Sequence, residues 1–171
     1  MTPYAEPNTS HAGTSHSIHI VTMEVGETGC PVYHYIAFRD HTNADKVLMF
    51  GLAIPRKTSD IRALRGVMAP PQDGGGLSTA HFTKILETEI FRGSVHAYLE
   101  KMAAAVKALH FINAQNLNAR IEDINSDSPN SIARTLVEAM QLDYPEHLLH
   151  FWAPGHERIL LPHNWSAGHA H

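Results

Sequence analysis

The chain has little of several things that would settle its class at once. It carries a single cysteine, Cys30, in 171 residues, so no disulfide can form within it and a disulfide-stapled scaffold is excluded. No apolar run approaches the roughly 18 residues that mark a membrane-spanning helix. The start, Met-Thr-Pro-Tyr-Ala-Glu-Pro-Asn, lacks the basic and apolar regions of a secretion signal. The expected location is the cytoplasm, or outside the cell by a signal-peptide-independent route. Positive charge is also scarce: 13 Lys and Arg against 17 Asp and Glu give a formal net charge of −4. That offers no electrostatic footprint for nucleic acid. What is present, 43 % hydrophobic and 18 % charged residues, is an ordinary globular balance. A chain of this size buries about 70 % of its unfolded surface in one core.

Residues 1–16 are rich in Pro, Ser, Thr, Asn and Gly without an apolar period and read as an irregular arm. Residues 17–142 read as one α+β domain. Ser17–Val25, Pro31–Arg39 and Lys46–Ile54 are rich in β-branched and aromatic residues and are separated by polar turns, which predicts an antiparallel meander. Residues 65–78, with two prolines and three successive glycines, predict a loop. Phe82–Phe91 mixes helical and extended signals, and the extended reading is preferred. From Ser94 to Asn113 the residues Val95, Tyr98, Leu99, Met102, Val106, Leu109 and Asn113 trace one helical stripe, with Ser94 as N-cap. A short strand around Leu117–Ile124 precedes a second helix. The expected architecture is an antiparallel sheet packed with two main helices, followed by an irregular tail, 143–171, wrapped over the domain.

The second helix opens at Ser128, a good N-cap, with Pro129 at the first helical position. Ile132, Ala133, Leu136, Val137 and Met140 recur at spacings of three and four, giving one buried face. A helix start presents unpaired N–H groups and partial positive charge, the setting in which a nucleophile or an oxyanion is stabilised. The second candidate is His34. Strand alternation places it with Val32, Ile36 and Phe38 in an otherwise apolar row, so it must be hydrogen-bonded or functional.

The order of these features is that of a known group. An early histidine on a strand, two further strands, a Gly/Pro loop, a long helix, and an Asn-Ser turn opening a helix together resemble the circularly permuted papain-like proteins. These include the permuted NlpC/P60 peptidases and amidases and the lecithin retinol acyltransferase-like enzymes. The resemblance spans roughly His34 to Met140 and rests on short motifs. It implies His34 as general base, with Asn130 and Ser131 matching the Asn-Ser that follows the nucleophile. Pro129 falls where the nucleophilic cysteine would stand, and proline can neither attack a carbonyl nor donate an N–H. Ser128 offers a hydroxyl in place of the thiol, in a serine–imidazole pair, although N-capping already explains that hydroxyl. The substrates implied are cell-wall peptides or lipid esters, in bacterial or phage lytic modules and secreted effectors.

Other constellations weigh less. Cys30 lies in a turn, about 13 Å from His34 along an extended strand, and is no helix-start thiol. Fourteen histidines, six of them in the tail, raise the question of zinc or nickel held by His147, His150 and a carboxylate such as Glu157, but no fixed metal spacing is present. Asp123–Asp127 opens like a calcium loop and then fails at Ser128 and Arg134. Gly74–Gly76 has no following Gly-Lys-Ser/Thr and cradles no phosphate. Trp152 and Trp165 are expected to cap the core. The sequence therefore points to a hydrolase-related protein, catalytically degenerate or serine-dependent, with no cofactor and no metal ligand assigned. Its alternative is a non-catalytic binding or assembly module for a peptide, lipid or protein partner, and a third reading is a histidine-rich metal binder.

Overall fold

A computed structural model describes residues 15–25, 32–43, 45–56, 61–69, 82–120 and 126–165. Six antiparallel strands form one sheet in the order β5-β1-β2-β3-β4-β6. They are β1 (His16–Val25), β2 (Val32–Asp40), β3 (Asp45–Pro55), β4 (Arg62–Ala69), β5 (Phe82–Gly93) and β6 (Asn118–Ala119). Two helices, α1 (Val95–Ala114) and α2 (Pro129–Ala139), pack on one face, and a 3-10 turn spans Glu146–His150. The chain is thus α+β, and the β1-β2-β3 meander expected from the alternation is its centre.

The sheet's helix-covered face comes from alternate positions. Ile18 and Ile20 of β1, Ile36 and Phe38 of β2, Met49 of β3 and Leu64 of β4 are all fully buried. From α2 they meet Ile132, Ala133, Leu136 and Val137, four of the five residues whose spacing marked that helix's inner face; the fifth, Met140, is its buried C-cap. Phe82–Gly93 is a strand, as its extended reading required.

Two expectations are corrected. Residues 65–69 are not loop but the end of β4, where Arg65, Gly66, Val67 and Met68 pair with Leu52, Gly51, Phe50 and Met49. Gly66 marks a close crossing rather than a turn: a Cβ there would overlap Leu109 of α1, and Asn113 brackets it by accepting from Gly66 N at 2.8 Å and donating to Gly66 O at 2.9 Å. The stripe on α1 is also rotated. Val95 and Leu99 are 52 % and 53 % exposed, and the buried seam is Tyr98, Ala105, Ala108, Leu109 and Ile112. Small alanines let the helix approach its neighbours, a preference that a hydrophobicity pattern underweights.

Of the strand expected at 117–124, only Asn118–Ala119 pairs among the described residues. The arm before Ser15, Cys30, the Gly74–Gly76 loop, the acidic start Asp123–Asn125, and His169 with His171 lie outside the described residues. Apart from the 3-10 turn, residues 143–165 of the tail are irregular, and Leu148, Ala153 and Leu160 are buried in them.

Candidate functional site

The start of α2 is held by its own side chains. Ser128 has the extended backbone of an N-cap, and its Oγ accepts from Asn130 N at 3.1 Å. Ser131 closes a capping box: its Oγ accepts from Ser128 N at 3.0 Å and donates to Ser128 O at 2.6 Å, while Ser131 N donates to the same carbonyl at 3.1 Å. Pro129 contributes no donor, and it packs so closely on β3 that a Cβ at Gly51 would lie 2.5 Å from Pro129 Cα. The two first-turn N–H groups able to face an oxyanion, those of Asn130 and Ser131, are therefore already spent.

The remaining hydrogen of Ser128 is spent as well, because its Oγ donates to the carbonyl of Pro154. That carbonyl belongs to a turn, Ala153–His156, buried along its whole length on the helix start. Gly155 makes the contact possible. Its φ is +81°, and a Cβ would overlap Ser128 Oγ and stand 2.5 Å from the Ser126 carbonyl oxygen. His156 locks the turn, its Nδ1 donating to Ala153 O at 2.5 Å. Ser128 is 1 % exposed.

His34 sits on the core face of β2, 2 % exposed. The structure brings it to α2 through Asn130 and not through Ser128. Asn130 Oδ1 accepts from His34 N at 2.8 Å and its Nδ2 donates to Val32 O at 2.9 Å, so one buried amide pairs with β2 as an extra strand would. The imidazole turns its Nδ1 to the Tyr144 hydroxyl. Tyr144 is held in place by Arg134, whose guanidinium lies 4.7 Å from the ring centroid. Among the described residues His34 Nε2 finds no hydrogen-bond partner, and neither does the Oγ1 of Thr22, its cross-strand partner on β1. The expected bond between His34 and Ser128 is not made. Further along the helix, Thr135 Oγ1 donates to Ser131 O at 2.6 Å and accepts from Leu160 N at 2.9 Å. The polar side of α2 is thus a joint among helix, sheet and tail.

Burial drives the electrostatics. Desolvation first, and the charge of His156 second, lower the His34 pKa from 6.5 to about 4, while burial raises that of Tyr144. A base with a depressed pKa is bound by more protons in the unfolded chain, so its contribution to stability is complete above pH 6.5 and lost as pH falls toward 4. The ring is expected to stay neutral, with no shift of its carbon-bound proton resonances between pH 8 and pH 5 in NMR. A midpoint near 6.5 would contradict its burial.

A second array lies on the opposite face of the sheet. Ser17 Oγ stands 2.8 Å from both His19 Nε2 and His41 Nε2, and His19 Nδ1 lies 3.2 Å from Glu87 Oε1, the carboxylate that Arg39 also pairs with. This is the residue order of a serine–histidine–acid triad. Ser17 is fully buried between the two rings, so no carbonyl reaches it, and the array ties β1 to β5 and to the turn after β2. Desolvation lowers the His19 pKa against the pull of Glu87.

Sequence reasoning missed Tyr144, Thr22 and Gly155. Only Gly155 left a local signal, as the glycine of an Ala-Pro-Gly turn. His147, weighed as a metal ligand, instead contacts Thr88 Oγ1 at 3.0 Å, and His150 is exposed. Among the described residues no group of three or more His, Cys, Asp or Glu is placed to hold a metal ion, and no helix is long and apolar enough to cross a membrane. No family model, curated protein or solved structure matches the chain.

Proposed function

We propose that this chain is a catalytically degenerate relative of the permuted papain-like hydrolases that works as a binding or assembly module. The observation that carries the reading is the complete internal use of the helix start. Acyl transfer needs a free nucleophile, a base beside it and donors for the developing oxyanion. Pro129 supplies neither nucleophile nor donor. Ser128 is spent on its cap and on Pro154, and the Asn130 and Ser131 N–H groups are bonded within the turn. His34, the base that the resemblance assigns, orders α2 against β2 through its backbone, while its Nε2 has no hydrogen-bond partner among the described residues. The resemblance persists in this reading as inherited framework, with the ligand-binding capacity of the domain kept and the chemistry lost.

A serine-directed fluorophosphonate probe tests it. No labelling is expected from pH 6 to pH 9 over hours. Labelling that disappears in Ser128→Ala would overturn the reading in favour of a serine hydrolase.

A further inference from the structure

The last turn of α2 and the tail residues after Gly155 enclose a groove of about 520 Å³, inside the range of roughly 300–1,000 Å³ typical of ligand sites. Its apolar lining includes Leu161, Pro162 and Trp165, and its charged lining is Glu138, Glu157 and Arg158. Arg158 is already matched, its Nε donating to Asp127 Oδ1 at 2.9 Å. Glu138 is exposed and has no ion pair or hydrogen bond among the described residues, and Glu157 has only the His156 ring, 3.9 Å away.

Glu138 is also misplaced by the ordinary rules of helix electrostatics. It stands in the last turn of α2, where the unpaired carbonyls make the helix end negative and a cation is favoured, and that turn carries no basic residue. Lys101 serves this helix end from α1, with its ammonium bound to Met140 O at 2.5 Å. The groove therefore gathers the unpaired Glu138 and Glu157, whose one partner among the described residues is the His156 ring, around an indole and aliphatic walls. A positive charge carried on an apolar stem or a planar guanidinium complements all of these at once.

We propose that this groove is the partner site of the module and that it takes a basic peptide segment, with an arginine side chain against Trp165 and its guanidinium facing Glu138 and Glu157. The inference rests on the binding-module reading and names its partner class.

Fluorescence anisotropy with a fluorescein-labelled triarginine peptide, at low and at physiological salt, tests it on the full chain. Saturable binding is expected, weakened by salt, together with a shift of the Trp165 indole N–H resonance. Glu138→Gln and Glu157→Gln should each weaken binding about threefold and together about tenfold, as for partly exposed charge pairs. Both sites are exposed, so the fold is kept. Glu100→Gln, on the exposed side of α1, is the control for attraction by net charge and should change nothing. Equal affinity in the double variant and the parent, equal loss in the control, or resonance shifts that avoid Trp165 would each overturn the proposal. Fluorophosphonate labelling of Ser128 would overturn the module reading alone, because the groove variants leave that hydroxyl untouched.

Discussion

Gly155→Ala is expected to lower stability by about 3 kcal/mol or more, and the melting temperature by roughly 10 °C at the usual scaling for a chain of this length. The cost has two sources. A φ of +81° is strained for any residue with a Cβ, at about 1–3 kcal/mol. The added methyl would also stand 2.5 Å from the Ser126 carbonyl oxygen, which is backbone and cannot rotate away. The turn would have to lift from the helix start, breaking the Ser128–Pro154 bond and leaving a buried carbonyl unpaired, at about 1–3 kcal/mol more. Combining the change with Ser128→Ala should recover only part of the loss, because removing the hydroxyl relieves one overlap and leaves the other. Thermal unfolding followed by circular dichroism measures this. A loss below about 1 kcal/mol would mean that the turn is not seated as described.

Asn130→Ala is expected to cost a similar amount by a different route. Its amide satisfies two buried backbone groups of β2, His34 N–H and Val32 C=O, and alanine leaves both without a partner, at about 1–3 kcal/mol each. The local signature separates this from general destabilisation. The His34 amide should lose hydrogen-exchange protection selectively, while Ile18 and Ile36 in the core change only with global stability. Equal exchange at His34 in both proteins would remove Asn130 from its bridging role. This is a sterner test of the site than changing His34 itself, because the bridge uses the His34 backbone and survives any change of its ring.

Much of the fold follows from local pattern. Alternation gave the meander its strands, the three-and-four spacing from Ile132 to Met140 fixed the inner face of α2, and Ser128 with Pro129 marked its start, because caps and periodicities are short-range and act before any tertiary contact. The rotated seam of α1 was less legible, since which side of an alanine-rich helix is buried depends on how closely its neighbours approach. In the sequence Gly66 has the look of loop punctuation, although its role is to admit Leu109 and Asn113 from 43 and 47 residues away.

The candidate site divides in the same way. Sequence alone determined that the Ser128-to-Ser131 helix start carries no thiol and that Pro129 supplies neither a nucleophile nor an N–H, because residue identity fixes what a residue can donate. It also singled out His34 as a polar residue in an apolar row. Only the tertiary structure decided what meets what: Asn130, not Ser128, reaches β2; Tyr144 takes the His34 ring; and the Pro154–Gly155 turn seals the serine. Those contacts join positions 26 to 110 residues apart. Their free energy exists only once the sheet, the helix and the tail are assembled, so no local pattern encodes them.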